Sequence, residues 1–568
     1  MGFFDRIMRE LRSKPARDLD EESIEGFFSP RRTAWSLVFV LAAAAALRLV
    51  NIQAEGYWAD EILSLDIATS FDSVREMVRY VYEVEFHPPL YYLVLRGWVG
   101  LFGAAEWATR SLSMIVGLGQ IVVTYLLARD LTKLRSVGLG AAFLMAVTPF
   151  SVEFGQEARP YTMILLAGTL AAWAMWRQVR GGGWRWAVLY VTASLAGLYL
   201  NYSYIFVALS LSGWWFVEVF LIQERSERWS AVRTFVFAHA AVFLGFFPWL
   251  PAFLYKLSLS GHLIFGLPRF TYHYRDVGFF SEIFDRLIWS TKYARYPLYF
   301  VLLQAVFKAS FLVAFVSWVS QRRFSFSDRS KWLHFAFLGW SLFSVVFLFV
   351  ASPMSFQYSP YFIRHFIFAL VPLVVIASSV LVGLGRKGVY LGMFVVVSMV
   401  PSLGQVISND TLSNFHHRYG LIGEYIAENR QEGDLVIVVN AASRTNFAHY
   451  LPDDLPMAAM LPLNHYGLDF WGTRHTLGFV ENDTQVRWFG GDGGNGDSEL
   501  DITKRGIRRK LEMINKMNEP RRVWLVGVQP DDSAVEFYEE LGWHRGFFSL
   551  GTLFPVELFV NIDYAIQE

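Results

Sequence analysis

Apolar residues along this chain gather into long blocks, and the blocks are separated by short polar loops. A helix needs about 20 mostly apolar residues to cross roughly 30 Å of hydrocarbon, and the blocks at 33–52, 231–250 and 332–351 meet that demand. The pattern predicts eleven spans, near 33–52, 111–128, 138–151, 161–176, 186–200, 205–222, 232–250, 297–320, 332–351, 366–384 and 388–405. Loops rich in Lys and Arg lie at 129–135, 177–185, 225–233, 321–331 and 386–387, each two blocks from the next. They therefore share one side, and cytoplasmic loops are the ones enriched in these residues. The first 32 residues, with Arg6, Arg9, Glu10, Lys14, Asp20, Glu21, Arg31 and Arg32, read as a cytoplasmic leader on that side. The segment 88–103 is apolar but short for a span, and it carries Arg96. A crossing there would invert every later basic loop, so it is expected to be a helix lying in the interface. The outer loops are then 53–110, 153–160, 201–204, 254–296, 352–365 and everything after 406.

The tail has a different pattern. A helix-like stretch at 421–430 precedes a buried-strand run at 434–440 and a turn-rich segment at 490–497. A second strand run at 522–528, a helix at 533–541 and a strand near 557–561 follow. Such alternation predicts a small α/β domain. The expected organisation is a cytoplasmic leader (1–32), a transmembrane domain (33–405) and an extracytoplasmic α/β domain (406–568). The whole is an α-helical polytopic protein of the plasma membrane.

Composition narrows the chemistry. At 54% hydrophobic and 17% aromatic residues the chain is excluded from the ordinary soluble enzymes. Formal net charge +0 offers no general attraction to nucleic acid. The absence of cysteine excludes disulfides, thiolate metal sites and cysteine nucleophiles. No HExxH, Walker-type loop, GxSxG elbow or strand-associated GxGxxG is present, so zinc proteolysis, nucleotide hydrolysis, serine hydrolysis and dinucleotide binding have no foothold.

The polar positions left over fall in the outer loops. The first opens with Tyr57-Trp58-Ala59-Asp60-Glu61. These two acids are either helix-start residues, which the helix dipole favours, or a general base (Asp60) with an orienting neighbour (Glu61) acting on an acceptor hydroxyl. Further on, Phe86-His87-Pro88-Pro89-Leu90-Tyr91-Tyr92 marks a helix start, with His87 free to face a phosphate. In the second outer loop Glu153, Gln156, Glu157 and Arg159 are crowded between two short spans, a costly placement unless they pair or serve a site. An Arg–Glu pair is one reading. A phosphate clamp by the planar Arg159 guanidinium is the other. Arg364 is either a snorkelling residue or a second phosphate contact. The fourth outer loop, with Lys256, Arg269, Arg275, Asp276, Lys292 and Arg295 among aromatics, suits a lid or a headgroup anchor.

Four segments in this order, Trp58-Ala59-Asp60-Glu61, His87-Pro88-Pro89-Leu90-Tyr91-Tyr92, Arg110-Ser111-Leu112-Ser113 and Gln156-Glu157-Ala158-Arg159-Pro160-Tyr161, resemble the dolichyl-phosphate-mannose protein mannosyltransferase superfamily. That group belongs to the membrane-embedded C class of glycosyltransferases and is similar to the aminoarabinose transferases of lipid A. The resemblance spans 33–405 and implies a polyprenyl-phosphate sugar donor, a glycan, lipid or protein acceptor, contact with membrane lipids, and inverting transfer on the outer face. It places the catalytic carboxylate on Asp60 with Glu61 beside it, and donor-phosphate contacts on His87, Arg159 and Arg364. Substrate contacts are expected at Tyr57, Tyr91, Glu153, Gln156, Glu157, Tyr161, Asn201 and Tyr202. The aminoarabinose branch has lysine at the His87 position, and many relatives have His-Tyr where this chain has Asn201-Tyr202. Oligosaccharyltransferases of the class use a metal with an acidic motif in the second outer loop. Here Glu153 and Glu157 form no DxD, so a metal-independent enzyme without cofactor is expected. A transporter of lipid-linked sugars is the alternative, but its mid-membrane charges and inverted repeats are not seen in the sequence.

Overall fold

The computed structural model describes residues 25–53, 56–219, 225–257, 285–289, 304–306, 308, 364, 367–408, 419–438, 449–452, 454–459, 487–488, 511, 520–526, 533–541, 544–549 and 555–560. Most of the span expected at 297–320, the span at 332–351, the turn-rich segment 490–497 and most of the loop 254–296 lie outside the described residues.

The helices are α1 (Pro30–Leu49), α2 (Ala59–Thr69), α3 (Val74–Glu83), α4 (Leu90–Phe102), α5 (Glu106–Thr132), α6 (Arg135–Val147), α7 (Pro149–Phe154), α8 (Tyr161–Val179), α9 (Trp184–Leu200), α10 (Tyr204–Val217), α11 (Arg225–Phe246), α12 (Leu370–Gly383), α13 (Gly385–Ser408) and α14 (Tyr419–Asn429). The predicted spans that fall on described residues each overlap one of these helices, except that the one at 138–151 runs across the break between α6 and α7. Among the described residues four helical stretches are long and apolar enough to cross a membrane, Pro30–Leu49, Glu106–Thr132, Arg228–Leu257 and Gly385–Gly404, beside shorter apolar helices. Their outward faces fit lipid. Trp35 and Phe39 on α1, Phe237 and Leu244 on α11, and Met393 and Val397 on α13 are all more than half exposed, an arrangement that water would penalise.

The chain forms two compact units. One comprises Met1–Val50, Ser113–Pro248 and Phe270–Ser408. Within it helices meet through small residues and buried polar pairs, as helices in lipid do. A Cβ at Gly140 on α6 would lie 2.2 Å from Ser378 Oγ of α12, and that hydroxyl donates to Val137 O at 2.8 Å. Gln120 of α5 reaches Thr169 of α8 at 2.8 Å.

The other unit comprises Asn51–Leu112, Trp249–Arg269 and Asn409–Glu568. Its sheet uses β1 (Asp434–Val438), β2 (Met457–Ala459), β3 (Arg487–Trp488), β4 (Arg522–Val526), β5 (His544–Ser549) and β6 (Pro555–Val560) in the order β3-β2-β1-β4-β6-β5, with α15 (Ser533–Glu540) between β4 and β5. β3, β2, β1 and β4 run parallel, and β6 and β5 close the edge antiparallel. The central β1 and β4 are buried runs without polar alternation, as a parallel sheet covered on its faces requires. Ile422 and Ile426, one turn apart on α14, pack on Val436, Met457, Trp524 and Val526. At the start of β1 the buried Asp434 accepts from Arg522 (2.7 and 2.6 Å) and from Trp524 Nε1 (2.8 Å), pairing the two central strands in register. β2, β3 and β5 were not anticipated from the sequence; β2 and β3, with three and two residues, carry too little periodicity.

Candidate active site

The first outer loop builds a turn and a helix around one acid. Trp58, in extended backbone, is the N-cap of α2, and its N–H donates to Glu61 Oε2 at 3.3 Å, half of a capping box. The helix starts at Ala59, so Asp60 and Glu61 both lie in its first turn. Glu61 is also gripped by Arg110 of α5, with Nε to Oε1 at 2.9 Å and Nη2 to Oε2 at 2.7 Å. Both partners are buried, so removing either one costs about 3–5 kcal/mol by stranding the other charge. The same guanidinium donates to the carbonyls of Ile52 (2.9 Å) and Gly56 (3.0 Å), and it lies 5.4 Å from the Tyr57 ring centre. Asp60 stands in the first turn of this clamped helix and is only 8% exposed. Glu61 thus serves as the fixture that orients the helix entry.

Tyr57 is tied inward. Its hydroxyl donates to Ala104 O (2.7 Å) and meets Thr109 Oγ1 (2.6 Å), and burial pushes its proton affinity well above the ordinary tyrosine value. His87 pairs through Nδ1 with Glu85 Oε1 at 2.8 Å, leaving its ring partly exposed. The Lys256 ammonium donates to Val81 O at 2.6 Å and to Glu85 O, so this cation expected in a lid sits on the C-terminal carbonyls of α3, where a helix dipole attracts it. Tyr91 is buried edge-on against Tyr92. Arg96, the puzzling charge in the apolar segment 88–103, donates to the carbonyls of Ala68 (3.1 Å) and Phe71 (2.9 Å) at the end of α2.

The second outer loop belongs to the other unit. Thr148 and Pro149 break the chain between α6 and α7, and the buried Glu153 lies on α7. Gln156 Nε2 donates to Arg48 O (3.1 Å) and Val50 O (2.8 Å), which docks this loop at the end of α1 from which the first outer loop departs. Glu157 O accepts from the Arg159 N–H at 2.8 Å. Ser113 Oγ donates to Arg159 O at 3.3 Å. The Arg159 and Arg364 guanidiniums lie 6.0 and 5.9 Å from the centre of the Tyr161 ring. Two planar cations remote in sequence thus meet at one buried ring. Asn201 Oδ1 accepts from Ser203 N (2.9 Å) and Ser203 Oγ (2.7 Å), shaping the turn between α9 and α10 beside the half-buried Tyr202.

Sequence reasoning missed Arg48. It is fully buried, and donates to Ala44 O, Ala146 O and both oxygens of Ser151. An arginine at a span's outer end is the signal that could have found it, since burial is costly there without partners. Among the described residues no group of three His, Asp or Glu side chains gathers as a metal site.

Residues 86–251 match the family described as dolichyl-phosphate-mannose-protein mannosyltransferase. YkcB of Bacillus subtilis (strain 168), named as a mannosyltransferase, is 23% identical over 159 residues. That match covers 26% of this chain and 21% of the relative, so it spans about a fifth of the relative's length. Among solved structures, ArnT from Cupriavidus metallidurans bound to undecaprenyl phosphate has a TM-score of 0.52 at 14% identity, covering 93% of this chain and 98% of that one. The Archaeoglobus fulgidus oligosaccharyltransferase in its apo form has a TM-score of 0.50 at 12% identity, covering 87% and 69%.

Proposed function

We propose that the chain is a membrane-embedded C-class glycosyltransferase, and that it transfers a sugar from a polyprenyl-phosphate donor to an acceptor hydroxyl on the outer face of the membrane, with inversion; the family match over residues 86–251 and the fold shared with ArnT support this reading. The observation that carries this reading is Asp60, an acid almost removed from water in the first turn of α2, whose entry is fixed by the Glu61–Arg110 pair. A general base has to be held within hydrogen-bond reach of the oxygen it deprotonates, and a clamped helix start holds it. ArnT, which shares this fold, has been solved with undecaprenyl phosphate.

The roles follow from charge. The acceptor oxygen attacks the anomeric carbon as its proton passes to Asp60. The bond from that carbon to the phosphate oxygen breaks, and the electron pair leaves on the polyprenyl phosphate. That leaving group is a stable anion and needs cations rather than a proton, which Arg159 and Arg364 supply in surroundings of low polarity. His87, held by Glu85, is a further donor toward phosphate. A single displacement from the opposite face inverts the anomeric centre. No step in this scheme needs a metal.

The test is transfer by the purified protein in nanodiscs with a panel of radiolabelled polyprenyl-phosphate sugars, comparing wild type with Asp60→Asn, with and without a chelator. We expect Asp60→Asn to lose at least about 100-fold in rate while keeping the wild-type melting temperature, and the chelator to change nothing. Equal transfer by the two proteins would remove Asp60 as the base.

A further inference from the structure

Tyr450 lies 393 positions from Tyr57, in the C-terminal segment, yet the two meet inside one compact unit. The Tyr57 N–H donates to Tyr450 Oη, and that hydroxyl donates in turn to Glu106 Oε1, 3.3 Å away at the start of α5. The carbonyl of the same peptide, that of Gly56, accepts from Arg110 Nη2 at 3.0 Å. One peptide plane is therefore held at both of its polar edges, by a side chain from α5 and a side chain from the tail, three residues before Asp60.

Shape supports the same contact. A Cβ on Gly56 would lie 2.7 Å from Tyr450 Oη and 3.1 Å from Cζ, so only glycine admits the hydroxyl this close. On α14, a Cβ at Gly420 would lie 3.3 Å from Tyr450 Cε1, and one at Gly423 would lie 2.6 Å from Tyr450 Cβ. Three glycines thus make a slot for one tyrosine. Its neighbour His449 meets the Tyr57 ring edge-on at 5.7 Å. Burial holds the Tyr450 hydroxyl well above the usual tyrosine range, which favours the protonated form that can bond both ways.

We propose that Tyr450 is a positioning residue by which the C-terminal α/β domain sets the Gly56–Tyr57 peptide, and with it the first turn of α2 that carries Asp60. This rests on the reading of Asp60 as general base, because displacing a base by even about 1 Å is costly in rate. On this account the tail completes the site from behind, without touching substrate.

The experiment uses the full chain in nanodiscs, as wild type, Tyr450→Phe, Gly56→Ala and the double variant. It reads hydrogen–deuterium exchange over 52–60, kcat and KM for the polyprenyl-phosphate sugar that wild type uses, binding of undecaprenyl phosphate, and melting temperature. Tyr450→Phe keeps the ring in its slot and removes only the hydroxyl. It should speed exchange over 52–60 about fivefold and lower kcat about three- to tenfold, the worth of one hydrogen bond, with KM and undecaprenyl phosphate binding unchanged. Gly56→Ala should do the same alone and cost less on top of Tyr450→Phe, since the clash is with the hydroxyl. Unchanged exchange over 52–60 in Tyr450→Phe overturns the proposal, as does a fall in kcat that tracks a lower melting temperature with no local change in exchange. If wild type transfers no sugar from any polyprenyl-phosphate donor, the transferase reading falls by itself, and exchange over 52–60 still decides whether Tyr450 holds the turn.

Discussion

At the residue scale, the acids of α2 divide by what surrounds them. Glu61 has both oxygens on Arg110. Asp66, two turns along, is pushed up by burial to about 6. Its folded value then exceeds that of the unfolded chain, so the folded state binds the extra proton. The stability this contributes is complete below the ordinary carboxylate value near 4 and is lost as pH rises through about 6. Asp66→Asn should therefore flatten the fall in melting temperature between pH 4.5 and pH 7 and leave the variant more stable at pH 7 by about 1–2 kcal/mol. A variant with the same pH profile as wild type would show that Asp66 is solvated. The identity of these residues was plain in the sequence, and Asp60 and Glu61 stood out as an acidic pair. Their division of labour was not, because it depends on Arg110, 49 positions away in the chain.

At the element scale, the break between α6 and α7 places the second outer loop. Thr148 and Pro149 end one helix and begin the next, and Arg48 crosses from α1 to hold Ala146 O and Ser151 on either side of the break. Gly155 leaves room for that guanidinium, since a Cβ there would lie 2.6 Å from Arg48 Nε and 2.9 Å from Cδ. Its backbone is ordinary, so Gly155→Ala would fail on space alone. The substitution should lower stability by about 1–3 kcal/mol through overpacking, read as a drop in melting temperature in detergent, and a neutral result would mean that Arg48 can swing away. Span positions were legible here because apolar block length is a local property. The helix break was written in Pro149. The tether across it was not, because nothing in the sequence near Arg48 names its partners.

At the scale of the whole molecule, the parity of basic loops orients the chain. The absence of cysteine makes that orientation easy to test. Gln53 and Arg185 are both exposed, at the start of the first outer loop and in the basic loop before α9. On intact cells a membrane-impermeant maleimide should label Gln53→Cys and leave Arg185→Cys unlabelled until the membrane is opened. The reverse pattern would invert the topology and put the first loop and the tail on the cytoplasmic side. That first loop and tail share a face follows already from the Tyr450–Tyr57 hydrogen bond.

By itself the sequence determined the membrane class, the placement of the spans on described residues and the α/β character of the tail. Each of these depends on local length, period or charge, which hydrocarbon and the backbone translate directly into structure. Tertiary structure alone decided that Glu61 belongs to Arg110, that Arg159 and Arg364 flank one tyrosine ring, that Arg96 caps α2, and that a tyrosine from the tail holds the peptide ahead of Asp60. Those pairings join positions far apart in the chain. A side chain's partner is set by which helix faces are driven together, and no local pattern encodes that.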